Sequence, residues 1–241
     1  TAPVVGGVAV YSGTNEVWEV ATDTISAVYS GDGNNSSATG TFSETINPAS
    51  QTITFPAPAT PVTYGVAPIA LSASATSGLP VTFSVLSGPA TVSGSTLTIT
   101  GTGTVVVAGN QAGNTDYSPA AAVTRSVVVN KATPTITWTT PAAITYGTAL
   151  SGTQLNATSG GVAGTFSYSP VSGTVLSAGT HTLSVTFNPT DSTDYNSTTG
   201  SVSLAVNKAA SVVTIDSSSN PSAYGTSGTF TISGPTTATG I

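Results

Sequence analysis

Short runs of alternating apolar and hydroxyl-bearing residues recur along the whole chain. Val81-Thr82-Phe83-Ser84-Val85, Thr96-Leu97-Thr98-Ile99, Leu183-Ser184-Val185-Thr186-Phe187 and Val202-Ser203-Leu204-Ala205-Val206 each put one set of side chains on one face and mostly Thr or Ser on the other. A period of two marks a strand that buries one face and wets the other. Turn clusters such as Ser77-Gly78-Leu79-Pro80 and Thr158-Ser159-Gly160-Gly161 bound the runs. No stretch keeps a helical period for longer than a turn. Many short strands at regular spacing predict an all-β fold of sandwich type.

The runs belong to a longer repeat. Ile46-Asn47-Pro48-Ala49, Val129-Asn130-Lys131-Ala132 and Val206-Asn207-Lys208-Ala209 share one form, and their asparagines are 83 and 77 residues apart. A Tyr-Gly pair at Tyr64-Gly65, Tyr146-Gly147 and Tyr224-Gly225 recurs at 82 and 78 residues. A polar turn before the last strand reads Asn114-Thr115-Asp116-Tyr117 and then Ser192-Thr193-Asp194-Tyr195, again 78 apart. A degenerate copy, Asp32-Gly33-Asn34-Asn35, has Asn35 where the tyrosine is expected. Independent landmarks that keep one period define a tandem array.

Val62-Thr63-Tyr64-Gly65, Ser77-Gly78-Leu79-Pro80-Val81-Thr82-Phe83, Ser87-Gly88-Pro89-Ala90-Thr91-Val92 and Val129-Asn130-Lys131-Ala132 lie within the segment from Thr54 to Ala132. That segment resembles the bacterial immunoglobulin-like repeats that occur in tandem in large secreted and surface proteins. Ala178-Gly179-Thr180-His181-Thr182-Leu183 with Thr193-Asp194-Tyr195, and Val28-Tyr29-Ser30-Gly31-Asp32-Gly33-Asn34-Asn35, resemble later strands of the same family. The resemblance covers nearly the whole chain. It implies serial immunoglobulin-like β-sandwiches at an extracellular or cell-surface location. It implies little about activity, because such modules are mostly spacers.

The landmarks divide the chain into residues 1–47, 48–130, 131–207 and 208–241. The two middle segments read as complete sandwiches. Residues 1–47 carry only the later strands of a unit, and residues 208–241 only the opening strands. Joined tail to head, the 34 residues after Asn207 and the 47 through Asn47 make a unit of 81, which fits beside 83 and 77. The expectation is one domain split between the chain ends and completed by residues equivalent to 1–47 of the next unit. Three arrangements stay open: one period of a longer continuous array, separate subunits exchanging strands head to tail, or a plain truncation.

Composition removes several function classes. Charged residues are 5% of the 241, with 3 Lys or Arg against 9 Asp or Glu and a formal charge of −6. Lys131, Lys208 and Arg125 are too few and too scattered to displace counterions from a nucleic acid. Mean hydropathy is positive, yet no apolar run approaches the ~20 residues of a spanning helix. Cysteine and methionine are absent and histidine occurs once. No disulfide, thiol chemistry or sulfur oxidation is available, and catalytic triads and zinc sites have almost no material.

Single residues are read against that background. His181 sits in an alternating strand near Leu183. Asp191 and Asp194 flank a turn and are the metal candidates, since with a backbone carbonyl they could hold Ca²⁺ at a domain joint; turn capping by their own side chains is the competing reading. Asp32 with Asn34, and Asp116, occupy similar loops. Tyr117 and Tyr195 match a tyrosine corner, with sugar stacking as the rival. Tyr64, Tyr146 and Tyr224 are expected to pack across a sandwich end. Glu16, Glu19, Asp23 and Glu44 read as solvated. Lys131 and Lys208 raise the question of an isopeptide crosslink to an Asn, for which no suitable acid is evident. Asn34, Asn35, Asn156 and Asn196 begin N-glycosylation sequons.

These readings point to a non-enzymatic structural subunit or repeat of an extracellular filament or stalk. It needs no cofactor, and its partners are neighbouring copies of itself, head to tail. The alternative is an adhesin binding glycans or another surface protein, for which Val4 to Trp18 is the one unusual stretch.

Overall fold

A computed structural model describes residues 7–10 and 19–234. The chain is all-β, a series of immunoglobulin-like β-sandwiches, and forms two compact units, Thr1–Lys131 and Ala132–Ile241.

In the first unit, β1 (Thr22–Tyr29) and β2 (Ala38–Thr45) form a two-stranded antiparallel hairpin. A complete sandwich follows, built from β3 (Ile53–Thr54), β4 (Val62–Thr63), β5 (Ile69–Ala70), β6 (Ser74–Ala75), β7 (Thr82–Ser87), β8 (Ala90–Ser93), β9 (Thr96–Ile99), β10 (Gly103–Asn110) and β11 (Val123–Asn130). One sheet runs β4-β11-β10-β7; the opposing strands pair as β3-β6 and β5-β9-β8. The pairings between these strands are antiparallel except β4 with β11, where Val62 and Thr63 run parallel to Val129 and Asn130. Between the layers, Ile53, Phe55, Leu71, Leu97, Val105, Val107, Val127 and Val129 form the core. Burial of one such side chain is worth ~1.5–3 kcal/mol.

The second unit repeats the plan with β12 (Ile144–Thr145), β13 (Gly164–Ser169), β14 (Gly179–Pro189) and β15 (Thr198–Asn207) in the order β12-β15-β14-β13. The alternation expected from sequence is realised along β14. Leu183, Val185 and Phe187 are buried, while Ser184, Thr186 and Asn188 are exposed. Leu150, Leu155, Leu183, Leu204 and Val206 form its core, with Trp138, Tyr168 and Val202 packed against them. Trp138 meets Tyr168 edge-on at 5.4 Å, and its indole N–H donates to the Gln154 carbonyl at 2.9 Å. Beyond this sandwich, β16 (Thr214–Ser217) pairs with β17 (Phe230–Ser233) as a second isolated hairpin.

The hairpins map onto strands of the complete sandwiches. Ile25 lies six residues before Gly31, as Val107 lies six before Gly113. Phe42 lies five before Asn47, where the sandwiches have Arg125 and Val202. Thus β1 and β2 correspond to β10 and β11. Val213 and Ile215 lie four and six residues after Ala209, like Ile53 and Phe55 after Ala49, so β16 corresponds to β3.

Candidate functional site

The Asn-x-Ala junction is a backbone clamp. In the first sandwich the Ala49 N–H donates to the Asp116 carbonyl at 2.8 Å, and the Ser118 N–H donates to the Ala49 carbonyl at 2.9 Å. In the second, the Ala132 N–H donates to the Asp194 carbonyl at 2.9 Å, and the Asn196 N–H to the Ala132 carbonyl at 2.8 Å. Ala49 pairs with Tyr117, and Ala132 with Tyr195, as parallel bridges. The polar turn holds the opening of the domain that it ends.

Each turn is shaped by a side-chain oxygen bonding its own backbone, the local competition that favours Asn and Asp in turns. Asn114 Oδ1 accepts the N–H groups of Asp116 and Tyr117 at 3.0 and 2.9 Å. Asp191 Oδ1 accepts those of Thr193 and Asp194 at 3.0 and 3.1 Å. The capping residue of the second copy is therefore Asp191 rather than Ser192, and that turn is one residue longer than the sequence match implies. In the first sandwich a buried pair supports the clamp: Gln51 Nε2 donates to Gln111 Oε1 at 3.1 Å and to the Ser118 carbonyl at 2.8 Å.

A second tie begins each sandwich. The Tyr64 N–H donates to the Asn130 carbonyl at 2.9 Å, and the Tyr146 N–H to the Asn207 carbonyl at 2.8 Å. The glycine that follows closes a turn. Val66 N–H reaches the Thr63 carbonyl and Thr148 N–H the Thr145 carbonyl, with Gly65 and Gly147 at φ of 83° and 95°. A positive φ at the third turn position selects Gly and accounts for the Tyr-Gly landmark. Tyr64 packs against its core, whereas Tyr146 is partly exposed. Tyr224-Gly225 repeats the turn through Thr226 N–H and the Ala223 carbonyl, with the Tyr224 side chain fully exposed.

The loop after β1 has the same build as the Asn114 turn. Gly31 and Gly113 have φ of 84° and 78°. Asp32 Oδ1 accepts the N–H groups of Asn34 and Asn35, each at 2.8 Å, and its Oδ2 accepts the Tyr29 hydroxyl at 2.6 Å. These bonds, the Tyr29 one foremost, lower the Asp32 carboxyl to about 2 and raise the Tyr29 phenol. The positions equivalent to the Asp116 carbonyl and Ser118 N–H are the Asn34 carbonyl and the Ser36 N–H. Among the described residues neither receives an alanine backbone.

Both hairpins bare the face that the sandwiches bury. Ile25 is 45% exposed and Phe42 62%, against 0% for Val107. Val213, Ile215, Phe230 and Ile232 are 60, 65, 70 and 52% exposed, whereas Ile53 and Phe55 are 8 and 1%. Cross-strand partners share a face, so Asp23 and Glu44, half-exposed and exposed, lie on the same side of the hairpin as Ile25 and Phe42.

The remaining candidates fall as follows. Asp191 spends its carboxylate oxygen on the turn, and Asp194 is buried with its carbonyl in the clamp. Among the described residues no three of His, Cys, Asp or Glu converge to hold a metal. The backbones of Tyr117 and Tyr195 lie in the bridges to Ala49 and Ala132. His181 Nε2 lies 2.7 Å from the Ser177 carbonyl. Glu19, Ala49, Asp116 and Tyr117 line a shallow groove within the first unit. Asn34, Asn35, Asn156 and Asn196 are exposed. Trp18, Glu16 and most of Val4 to Trp18 lie outside the described residues. The sequence marks the junction alanines as landmarks but not as docking points. The shared period of the alanine and the polar turn was the available signal.

No protein-family model matches the chain, and no curated protein matches it. Among solved structures it is similar to Drosophila N-cadherin EC1-4, at 13% identity over 80% of this chain and 60% of that chain with a TM-score of 0.26. It is similar to Drosophila N-cadherin EC1-3, at 13% identity over 84% of this chain and 82% of that chain, TM-score 0.28. A third similarity is to surface layer protein SbsC, domains 1-6, at 13% identity over 83% of this chain and 39% of that chain, TM-score 0.27. The chain thus spans 60% of the length of N-cadherin EC1-4 and 39% of that of the SbsC segment. At these scores the architecture rests on the strand pairing above, and no site residue is carried across.

Proposed function

We propose that the chain is a structural repeat of an extracellular filament or stalk, with no catalytic role, whose half-sandwiches are completed head to tail by neighbouring copies. The observation that carries this reading is the pair of bare hairpin faces. Each presents apolar residues at positions that the complete sandwiches use for their cores, and the two faces supply opposite halves of one sandwich. An exposed apolar face with unpaired strand edges favours association. Two different surfaces meeting head to tail generate an open chain of subunits rather than a closed dimer.

Other features agree with this role. Each sandwich is closed within itself by the backbone bonds of Ala49 or Ala132, so that serial units can follow one another. The wet strand faces carry Thr and Ser in place of charge, and the chain holds no Cys or Met to oxidise, which suits life outside a cell. The test is sedimentation with negative-stain imaging across protein concentration. The expected result is concentration-dependent oligomers that appear as fibres with a regular axial repeat. A species that stays monomeric at every concentration overturns the reading.

A further inference from the structure

We infer that the joint between copies is formed in a specific register, with the Ala209 backbone of one copy clamped into the Gly31–Ser37 loop of the next and its Tyr224 N–H bonded to that copy's Asn47 carbonyl. The inference rests on the head-to-tail reading and supplies its chemistry: the occupant of the β1–β2 face is the β16–β17 segment of a second copy.

The chain contains the joint twice over, already made. Ala49 N–H and carbonyl engage the Asp116 carbonyl and the Ser118 N–H, and Ala132 does the same with Asp194 and Asn196. Each alanine follows an Asn by two positions, and Ala209 follows Asn207 in the same way. The receiving loop is present in the head segment. Gly31-Asp32-Gly33-Asn34-Asn35-Ser36-Ser37 copies Gly113-Asn114-Thr115-Asp116-Tyr117-Ser118-Pro119 in its positive-φ glycine, its Asx cap and its closing bond. That bond is Asp32 N–H to the Asn35 carbonyl in one and Asn114 N–H to the Tyr117 carbonyl in the other, both at 2.9 Å. A Cβ on either glycine would strike the backbone of the same loop, so the loop shape is fixed in both.

The second tie sets the register independently. From Ala49 to Tyr64 is 15 residues, and from Ala209 to Tyr224 is 15. Once Ala209 is clamped, Tyr224 N–H falls where Tyr64 N–H finds the Asn130 carbonyl, and the equivalent carbonyl is that of Asn47. The same register lays Ile215 where Phe55 lies. Across from it comes Phe42, at the position from which Arg125 stacks on the Phe55 ring at 5.9 Å and Val202 joins Trp138 in the second core. An aromatic-to-aliphatic contact replaces a cation over a ring. The Asn35 that breaks the tyrosine pattern does not weaken the clamp, because in both sandwiches the clamp uses backbone atoms on either side of the tyrosine.

The test exploits the absence of native cysteine. The double variant Asn35→Cys with Ala209→Cys places thiols at the positions that correspond to the paired Tyr117 and Ala49. Mild oxidation is expected to give a ladder of dimers, trimers and larger species on a non-reducing gel, and neither single variant goes beyond dimers. Ala209→Pro deletes the donor and is expected to weaken association at least tenfold. Lys208→Pro is expected to leave it intact, since Pro48 occupies that place before Ala49. Circular dichroism melts confirm that the complete sandwiches stay folded in each variant. If wild-type chains assemble but the double variant gives no ladder, or Ala209→Pro assembles normally, this register is wrong while the head-to-tail reading stands. A fast-migrating crosslinked monomer shows closure within one chain and overturns the joint between copies. Wild type that stays monomeric removes the reading itself.

Discussion

Asp23 faces Glu44 across the first hairpin, as register partners on the face that also carries Ile25 and Phe42. The same cross-strand pair is Val105 and Val127 in the first sandwich, both fully buried, and His181 and Leu204 in the second. Two carboxylates therefore occupy a place that the complete sandwiches fill with Val105 and Val127 or with His181 and Leu204. Closing a partner over them removes water from like charges, which is costly unless they are paired.

The double variant Asp23→Val with Glu44→Val should therefore strengthen self-association tenfold or more. Sedimentation equilibrium on the two proteins measures the difference directly. An association constant unchanged by the double substitution means that this end of the hairpin stays in water.

Removal of a core ring and removal of a bare one should separate cleanly. Phe187 is fully buried and packs on Phe166 at 4.8 Å between ring centres. Phe187→Ala should cost ~3–5 kcal/mol of the second sandwich. Phe42→Ala should leave the unfolding of both sandwiches within about 0.5 kcal/mol and instead reduce association. Denaturant titration reads the first effect and sedimentation the second.

Gly65 and Gly113 share a positive φ but differ in surroundings. A Cβ on Gly65 meets open space, while one on Gly113 collides with the Tyr117 carbonyl and the Ser118 backbone. Gly65→Ala should cost about 1 kcal/mol, the penalty of a left-handed backbone. Gly113→Ala should cost clearly more and release the Ala49 clamp. Hydrogen exchange at the Ala49 and Ser118 amides distinguishes the two, and equal protection in both variants counts against the clamp.

Asp32 gives the first hairpin a defined acid limit. Its carboxyl is depressed from an ordinary 3.8 to about 2, first by the Tyr29 hydroxyl and then by the loop amides. A carboxylate held below its unfolded value contributes fully above that value, and its contribution is lost as pH falls through the folded one. The Asn34 and Asn35 amide resonances should hold steady down to about pH 3 and move together near pH 2. Asp32→Asn should remove that titration, and movement centred near pH 4 in the native chain would show that the bonds are not made in solution.

Much of this architecture is legible in the sequence, because alternation and repeat spacing are local signals. Leu183-Ser184-Val185-Thr186-Phe187 announces its buried face without help, and Tyr64-Gly65 and its copies mark a turn that only glycine completes at low cost. What the sequence hides is non-local. Nothing in the composition of Ala49 distinguishes it from any other alanine, since its role lies in a carbonyl and an amide that meet Asp116 and Ser118 nearly seventy residues away. Asp23 and Glu44 read as wet because charge is the strongest local cue, while the hairpin register pairs them on the side that Ile25 and Phe42 share. The capping role of Asp191 was masked by a one-residue insertion that makes Ser192 the apparent match.

The short parallel pairing of Val62 and Thr63 with Val129 and Asn130, repeated by Ile144 and Thr145 with Val206 and Asn207, governs how tension would pass through a domain. Strands that point the same way carry the incoming and outgoing chain at opposite ends of their contact. Pulling then slides the pair lengthwise and strains its bonds together, instead of unzipping them one after another. Mechanical strength would be concentrated in that two-residue patch, and the rate of rupture rather than equilibrium stability would set the load each link withstands.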